Sequence, residues 1–154
     1  MAVLLTSSRT YPSPPAQAFE VLLPLPLTDL FRHWYGPLPP IRATDETMAW
    51  GSVGQRRHID LVGPGSMEET LTEVVGPTHF TYRLSDIRGP MAALIDSVDG
   101  RWELEPAGAG VRVTWRWNVM PTAVGRPLMP AFAGLWRGYA ARALDVLESH
   151  LVAS

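Results

Sequence analysis

The 154-residue sequence predicts an α+β protein in which a curved antiparallel sheet of about seven strands wraps around one long C-terminal helix. Three observations carry this expectation. From Pro127 to Leu151, the residues Leu128, Phe132, Leu135, Trp136, Tyr139, Ala143, Val146, Leu147 and Leu151 recur at spacings of three and four. That is the period of a helix with one broad apolar face. Ahead of it, short alternating stretches are separated by glycine and proline turn signals, the spacing of an antiparallel meander. Between the first strand and that meander lie two short, proline-bounded apolar segments that read as two small helices.

Taken in order, residues 3–11 form a rather polar first strand that Pro12-Ser13-Pro14-Pro15 stops. Ser13 is the expected N-cap of the first small helix, with Pro14 at its first position and Ala16 to Leu23 as its body. Pro24 and Pro26 end it. A second small helix is expected over Asp29–Trp34, opened by Thr28 or a neighbour and closed by Gly36-Pro37. The strands then follow as Ile41–Met48, Gln55–Val62, Met67–Val75, His79–Ser85, Val98–Leu104 and Val111–Val119. The stretch from Arg88 to Ile95 is an apolar loop, and Pro106-Ala107-Gly108-Ala109-Gly110 turns the last hairpin. Pro127 and Pro130 sit at the start of the long helix, where a missing amide donor costs little. No internal repeat or linker interrupts this order, so residues 1–154 are expected to form one domain.

Composition narrows the function classes. The apolar fraction is 46%, the charged fraction 18% and the formal charge −2. Such a balance offers no electrostatic footprint for nucleic acid and no polybasic stretch for an anionic membrane. Without cysteine, disulfides, thiol nucleophiles and thiolate metal sites are excluded. His33, His58, His79 and His150 are scattered over different elements, none at ligand spacing with another, so no metal is expected. No Gly-x-Ser-x-Gly elbow is present. Gly63-Pro64-Gly65 lacks the helix and lysine of a phosphate-cradling loop, and no cofactor is expected. No stretch approaches the ~18 apolar residues of a membrane span, and the N-terminus lacks the pattern of a signal peptide. A cytoplasmic location is the expectation, and the oligomeric state is left open.

The order of strand, two small helices, six strands and one long helix resembles the helix-grip fold of the START-like, Bet v 1-like (SRPBCC) superfamily. More closely it resembles the polyketide cyclase/dehydrase-like branch. The pieces that carry the resemblance are Gly54-Gln55-Arg56-Arg57-His58-Ile59, a glycine turn, Glu69-Thr70-Leu71 and Pro77, then Gly110-Val111-Arg112-Val113-Thr114-Trp115 ahead of the helix. The resemblance implies a cavity between sheet and helix that holds a lipid, polyketide or other hydrophobic molecule. It also implies a cavity-facing position for Glu69.

Strand alternation assigns the faces. Val113, Trp115 and Trp117 share a face with Val111, opposite Arg112, Thr114 and Arg116, so the indoles point toward the helix. Trp102 points inward on the neighbouring strand. These indoles form either a dense core or one wall of a cavity. Arg57, Ile59 and Leu61 form the more apolar set of their strand, which turns Arg57 inward. Met67, Glu69 and Leu71 share a face, but Glu73 continues that set and weakens the assignment. An inward Arg57 and Glu69 must pair with each other or with a polar ligand group. Tyr82 shares its face with Phe80 and Leu84 and is a candidate cavity phenol. Trp34 and Tyr35 are placed at the cavity mouth and Met91 in a lid, with Phe132, Trp136 and Tyr139 facing inward from the long helix. Ala143 is expected on the same wall.

Three functions follow. One is a non-catalytic binder or carrier of a hydrophobic molecule, the reading favoured here. A second is an aromatase/cyclase-like enzyme, with Arg57 and Tyr82 assisting enolisation and dehydration and Glu69 accepting a proton. A third is a protein-interaction or stress-related factor acting through its outer surface.

Overall fold

The computed structural model describes residues 2–153. Strands β1 (Val3–Tyr11), β2 (Ile41–Thr44), β3 (Arg56–Leu61), β4 (Ser66–Val75), β5 (His79–Arg88), β6 (Ile95–Ala107) and β7 (Gly110–Pro121) make one antiparallel sheet in the order β1-β7-β6-β5-β4-β3-β2. The meander runs from β2 to β7, and β1 joins its far edge beside β7. Helices α1 (Pro15–Leu22) and α2 (Leu27–Leu30) connect β1 to β2, and α3 (Met129–Ala153) closes the chain.

The first strand has the expected bounds, while several other ends move for local reasons. The N-cap of α1 is Pro14, not Ser13, and no side chain caps it; Pro15 takes the first helical position. Helix α2 is a single turn that begins earlier than expected and stops at Leu30. Phe31 leaves helical geometry there, and its carbonyl accepts a hydrogen bond from the Ile41 amide at 2.8 Å. That bond draws the chain toward β2, so residues 32–34 cannot continue the helix. β2 ends at Thr44, four residues short of the expected end, whereas β5 and β6 extend to meet their neighbours. The apolar loop after β5 contains a 3₁₀ turn, Pro90–Ala93. A second such turn, Arg126–Leu128, precedes α3 and leaves Leu128 exposed, outside the helix's apolar face.

That face runs through Met129, Phe132, Trp136, Ala140, Ala143, Leu147 and Leu151, all buried. Alanines at 133, 140 and 143 let the helix backbone come close to the sheet, and each large apolar side chain buried there contributes roughly 1.5–3 kcal/mol. The C-terminal half is pinned to β1. The buried Tyr11 hydroxyl donates to the Leu144 carbonyl at 2.7 Å, and Arg9 pairs with Asp145.

On the opposite face of the sheet, charges alternate in sign across neighbouring strands: Arg83 with Asp99 at 3.0 Å, and Glu103 between Arg101 and Arg116. This is a solvated face. A bulge between Leu71 and Glu73 in β4 resolves the conflict in that strand's pattern. The extra residue shifts the parity, so Met67, Glu69 and Leu71 stay inside while Thr72 and Glu73 turn to solvent. Glu73 then meets His79, at 2.7 Å.

Candidate functional site: a cavity between sheet and helix

The sheet does not close completely on α3. Between them, walled at one end by α1 and α2, lies a cavity of about 90 Å³. One water needs roughly 10–15 Å³ of such space, so the cavity has room for several water-sized groups. Its floor comes from β3, β4 and β5, through Ile59, Leu61, Met67, Phe80 and Leu84. Trp102, Trp115 and Trp117 form one wall, Phe132, Trp136 and Tyr139 the roof, and Met91 part of the rim.

The indole wall is packed ring on ring. Trp102 and Trp115 stack at 5.1 Å between centroids, and Trp115 and Trp136 lie 4.9 Å apart. Such contacts add about 0.5–1.5 kcal/mol each beyond their buried area. Both readings of the tryptophans therefore hold together, since they are core on one side and cavity wall on the other. Tyr82 organises their polar edges. Its oxygen accepts hydrogen bonds from Trp115 Nε1 at 2.7 Å and from Trp117 Nε1 at 2.9 Å. Tyr82 can lie in this position because its register partner across β5 and β6 is Gly100. A Cβ at Gly100 would sit 2.0 Å from Tyr82 Cζ. Burial, the largest influence, keeps the phenol protonated far above the usual tyrosine range.

Arg57 and Glu69 face each other as direct register partners on β3 and β4. Arg57 Nε donates to Glu69 Oε1 at 2.6 Å, while Nη1 donates to Glu46 Oε2 at 2.6 Å. The guanidinium also lies over the Trp50 ring, 3.8 Å from its centroid. Two carboxylates thus converge on one cation. Burial raises the Glu69 pKa above the ordinary range, Arg57 pulls against that, and Glu46 adds to it. Glu46, nearer the surface, is held below its ordinary value: burial opposes this, and hydrogen bonds from Thr44 and Arg57 outweigh it.

Among the described residues, two buried side-chain polar atoms have no hydrogen-bond partner, Glu46 Oε1 and Trp136 Nε1. The second belongs to a residue of the cavity roof.

The structure brings fourteen of the seventeen sequence-selected residues together around the cavity: Arg57, Glu69 and Tyr82 with eleven of the twelve residues named above as floor, wall, roof and rim, Met67 being the one not selected as a site residue. Three lie elsewhere. Trp34 is exposed, because α2 ends before it and the turn carries it outward. Tyr35 forms a β-bridge with Leu38 and lays its ring on α3, where a Cβ at Gly138 would be 2.0 Å from Tyr35 Cζ. Val113 is fully buried but outside the lining, as is Ala143. Residues that alternation did not reveal complete the cavity, notably Leu30, Phe31, Leu38, Ile41 and Trp50. Trp50 sits outside any strand. Gln55 holds its loop, accepting from the Gly51 and Ser52 amides at 2.7 and 2.6 Å and donating to the Ala49 carbonyl at 3.0 Å. A lone tryptophan beside glycine in a polar loop was the available signal.

His58 points to the outer face between Asp60 and Glu68, where its hydrogen bond with Glu68 raises its pKa. Among the described residues, no group of three His, Cys, Asp or Glu side chains gathers as metal ligands would, and no helix is long and apolar enough to cross a membrane.

The family model described as polyketide cyclase/dehydrase and lipid transport matches residues 2–152. The chain belongs to the polyketide cyclase/dehydrase and lipid transport family. Solved structures share the fold of this family member. The protein TTHA0849 from Thermus thermophilus superposes with a TM-score of 0.71 at 16% identity, covering 98% of each chain. Ginseng major latex-like protein 151 from Panax ginseng gives 0.70 at 13% identity over 97% of each chain. The protein Ara h 8.0201 gives 0.66 at 13% identity over the whole of both chains. At such identities the likeness is one of fold. No curated protein sequence matches this polyketide cyclase/dehydrase family member.

Proposed function

We propose that this chain binds a hydrophobic small molecule in the cavity between the sheet and α3, and that it does so as a non-catalytic binder or carrier. The observation that supports this is the state of the polar groups around an otherwise apolar cavity. The Arg57 guanidinium is held by two carboxylates, and the Tyr82 oxygen already accepts from two indoles. Groups committed in this way shape and orient a pocket; they are poorly free to turn over a substrate. The family description, which includes lipid transport, agrees with this reading.

Native mass spectrometry of protein from its own host, followed by denaturation and small-molecule analysis, tests the proposal. The expected result is release of an apolar molecule, and loss of that molecule from a folded Ile59→Phe variant that fills the cavity. Equal retention by the filled variant would place the ligand elsewhere.

One observation favours a second reading, the cyclase-like enzyme: Glu69 is a buried carboxyl with a raised pKa at the cavity edge, as a general acid or base requires. Under that reading Glu69→Gln abolishes conversion of a poly-β-ketone substrate while leaving its binding intact. Turnover that persists in this variant would remove Glu69 from any mechanism.

A further inference from the structure

Trp34 is 54% exposed, whereas the other five tryptophans of the chain are buried. The turn that carries it is built so that the ring cannot fold back. On one side Phe31 stacks on Tyr139 of α3, with 5.5 Å between centroids. On the other, Tyr35 lays its ring over Gly138, and Tyr35 and Leu38 exchange backbone hydrogen bonds at 3.0 and 2.9 Å. With both flanks fixed to α3, Arg32, His33 and Trp34 are presented to solvent.

The surroundings of this turn are cationic. Arg142 holds its guanidinium over the Tyr35 ring, 6.0 Å from the centroid, and Arg137 adjoins the Gly138 that the same ring covers. Arg32, Arg137 and Arg142 are exposed, and none forms an ion pair among the described residues. On the sheet, by contrast, Arg83 is neutralised by Asp99 and both Arg101 and Arg116 by Glu103. The acids at hand do not balance the patch. Asp145, one turn beyond Arg142, is taken by Arg9, and α2 contributes Asp29 alone. No polybasic run appears in the sequence because these arginines come from two distant segments that the fold brings together.

We propose that the Trp34 turn and the adjoining face of α3 dock on an anionic lipid bilayer, with the indole among the headgroups and Arg32, Arg137 and Arg142 against lipid phosphates. An indole settles at a membrane–water interface, and a guanidinium pairs with phosphate. A protein partner would need a broader apolar centre than one ring supplies. The contact is peripheral, and it is independent of what the cavity holds.

Sedimentation of the full chain with vesicles tests it, using phosphatidylcholine alone or mixed with phosphatidylglycerol. The chain is expected to bind the mixed vesicles, to ignore the neutral ones, and to be released by high salt. Because the other tryptophans are buried, acrylamide quenching of the unmodified chain reports Trp34, which the anionic vesicles should shield. Arg137→Gln should weaken binding about fivefold, and Trp34→Ala about tenfold.

Equal binding to both vesicle types would overturn the selection by charge. Trp34 left unshielded on bound protein would place the contact elsewhere, a result that needs no variant. Absence of binding to the mixed vesicles at low salt would overturn the bilayer as the occupant and leave the cavity function standing, since ligand retention is measured separately. Dimerisation in analytical ultracentrifugation that Trp34→Ala abolishes would assign the patch to a second copy of the chain instead.

Discussion

Arg57 and Glu69 occupy directly opposed positions of neighbouring strands and are both almost wholly buried, with Nε 2.6 Å from Oε1. Their side chains meet because the strand register places them on the same inner face, and Glu46 reaches the same guanidinium from the segment after β2. The group that the sequence offers as a catalytic arginine is, in the fold, the centre of an ion triad. Its first role is to make the buried Glu69 carboxyl tolerable, with the half-buried Glu46 as its second partner.

Removing that centre should be costly. Arg57→Ala leaves Glu69 without its cation and is expected to destabilise the protein by roughly 3–5 kcal/mol, as for other broken buried pairs. Urea denaturation reads this directly. The double variant Arg57→Met with Glu69→Leu should recover most of the loss. A single variant with wild-type stability would show that the triad contributes nothing. A test of turnover in Arg57→Ala must therefore first establish that the variant is folded.

The same triad sets a pH dependence with a definite sign. The Glu69 pKa is raised by burial, so the folded state holds a proton that the unfolded chain releases at lower pH. Its contribution is fully present below the ordinary glutamate range and is lost as pH rises through the folded value, with a slope of at most about 1.4 kcal/mol per pH unit. Glu46 acts oppositely: its lowered pKa stabilises above the ordinary range, and that contribution is lost as pH falls. The stability of Glu69→Gln relative to wild type should therefore increase from acid toward neutral pH. A difference that stays constant as pH rises from the ordinary glutamate range toward neutral would contradict the assignment.

Gly100 is the complement of Tyr82. Gly100→Ala would set a Cβ 2.0 Å from Tyr82 Cζ and drive the ring off its two indole donors. The expected loss is about 1–3 kcal/mol from overpacking, together with a changed tryptophan emission. Tyr82→Phe keeps the ring and strands two buried N–H groups, at about 1–3 kcal/mol for each group left unsatisfied. If Gly100→Ala left stability and emission untouched, the ring would not be seated as described.

The cavity has a defined extent along α3. Ala143 is buried but does not line it, so Ala143→Phe should cost roughly 1–3 kcal/mol from overpacking and leave ligand uptake unchanged in the folded variant. Ile59→Phe should do the reverse, abolishing uptake at smaller cost. Comparison of bound ligand in the two purified variants separates them. Uptake blocked by Ala143→Phe would extend the cavity toward the C-terminal end of the helix.

Much of this architecture was legible in residue order because periodicity reports faces. Alternation in β7 turned Trp115 and Trp117 inward, and the three-to-four spacing after Pro130 marked a helix. Those signals depend only on backbone geometry, which is local. Alternation could not show that Glu73 leaves the face of Glu69 and Leu71, because a bulge changes parity without changing composition. Nor could it place Trp50, which a Gln55-clamped loop carries into the cavity wall, or Trp34, which the early end of α2 turns to solvent. Which buried donors find partners was decided only in three dimensions. Trp115 and Trp117 have theirs because Tyr82 lies over Gly100, while Trp136 Nε1, buried on the facing helix, has none among the described residues. Local period was enough to specify the fold and its apolar inner face. The cavity came from the separation of helix and sheet, which depends on the packing of all their side chains at once.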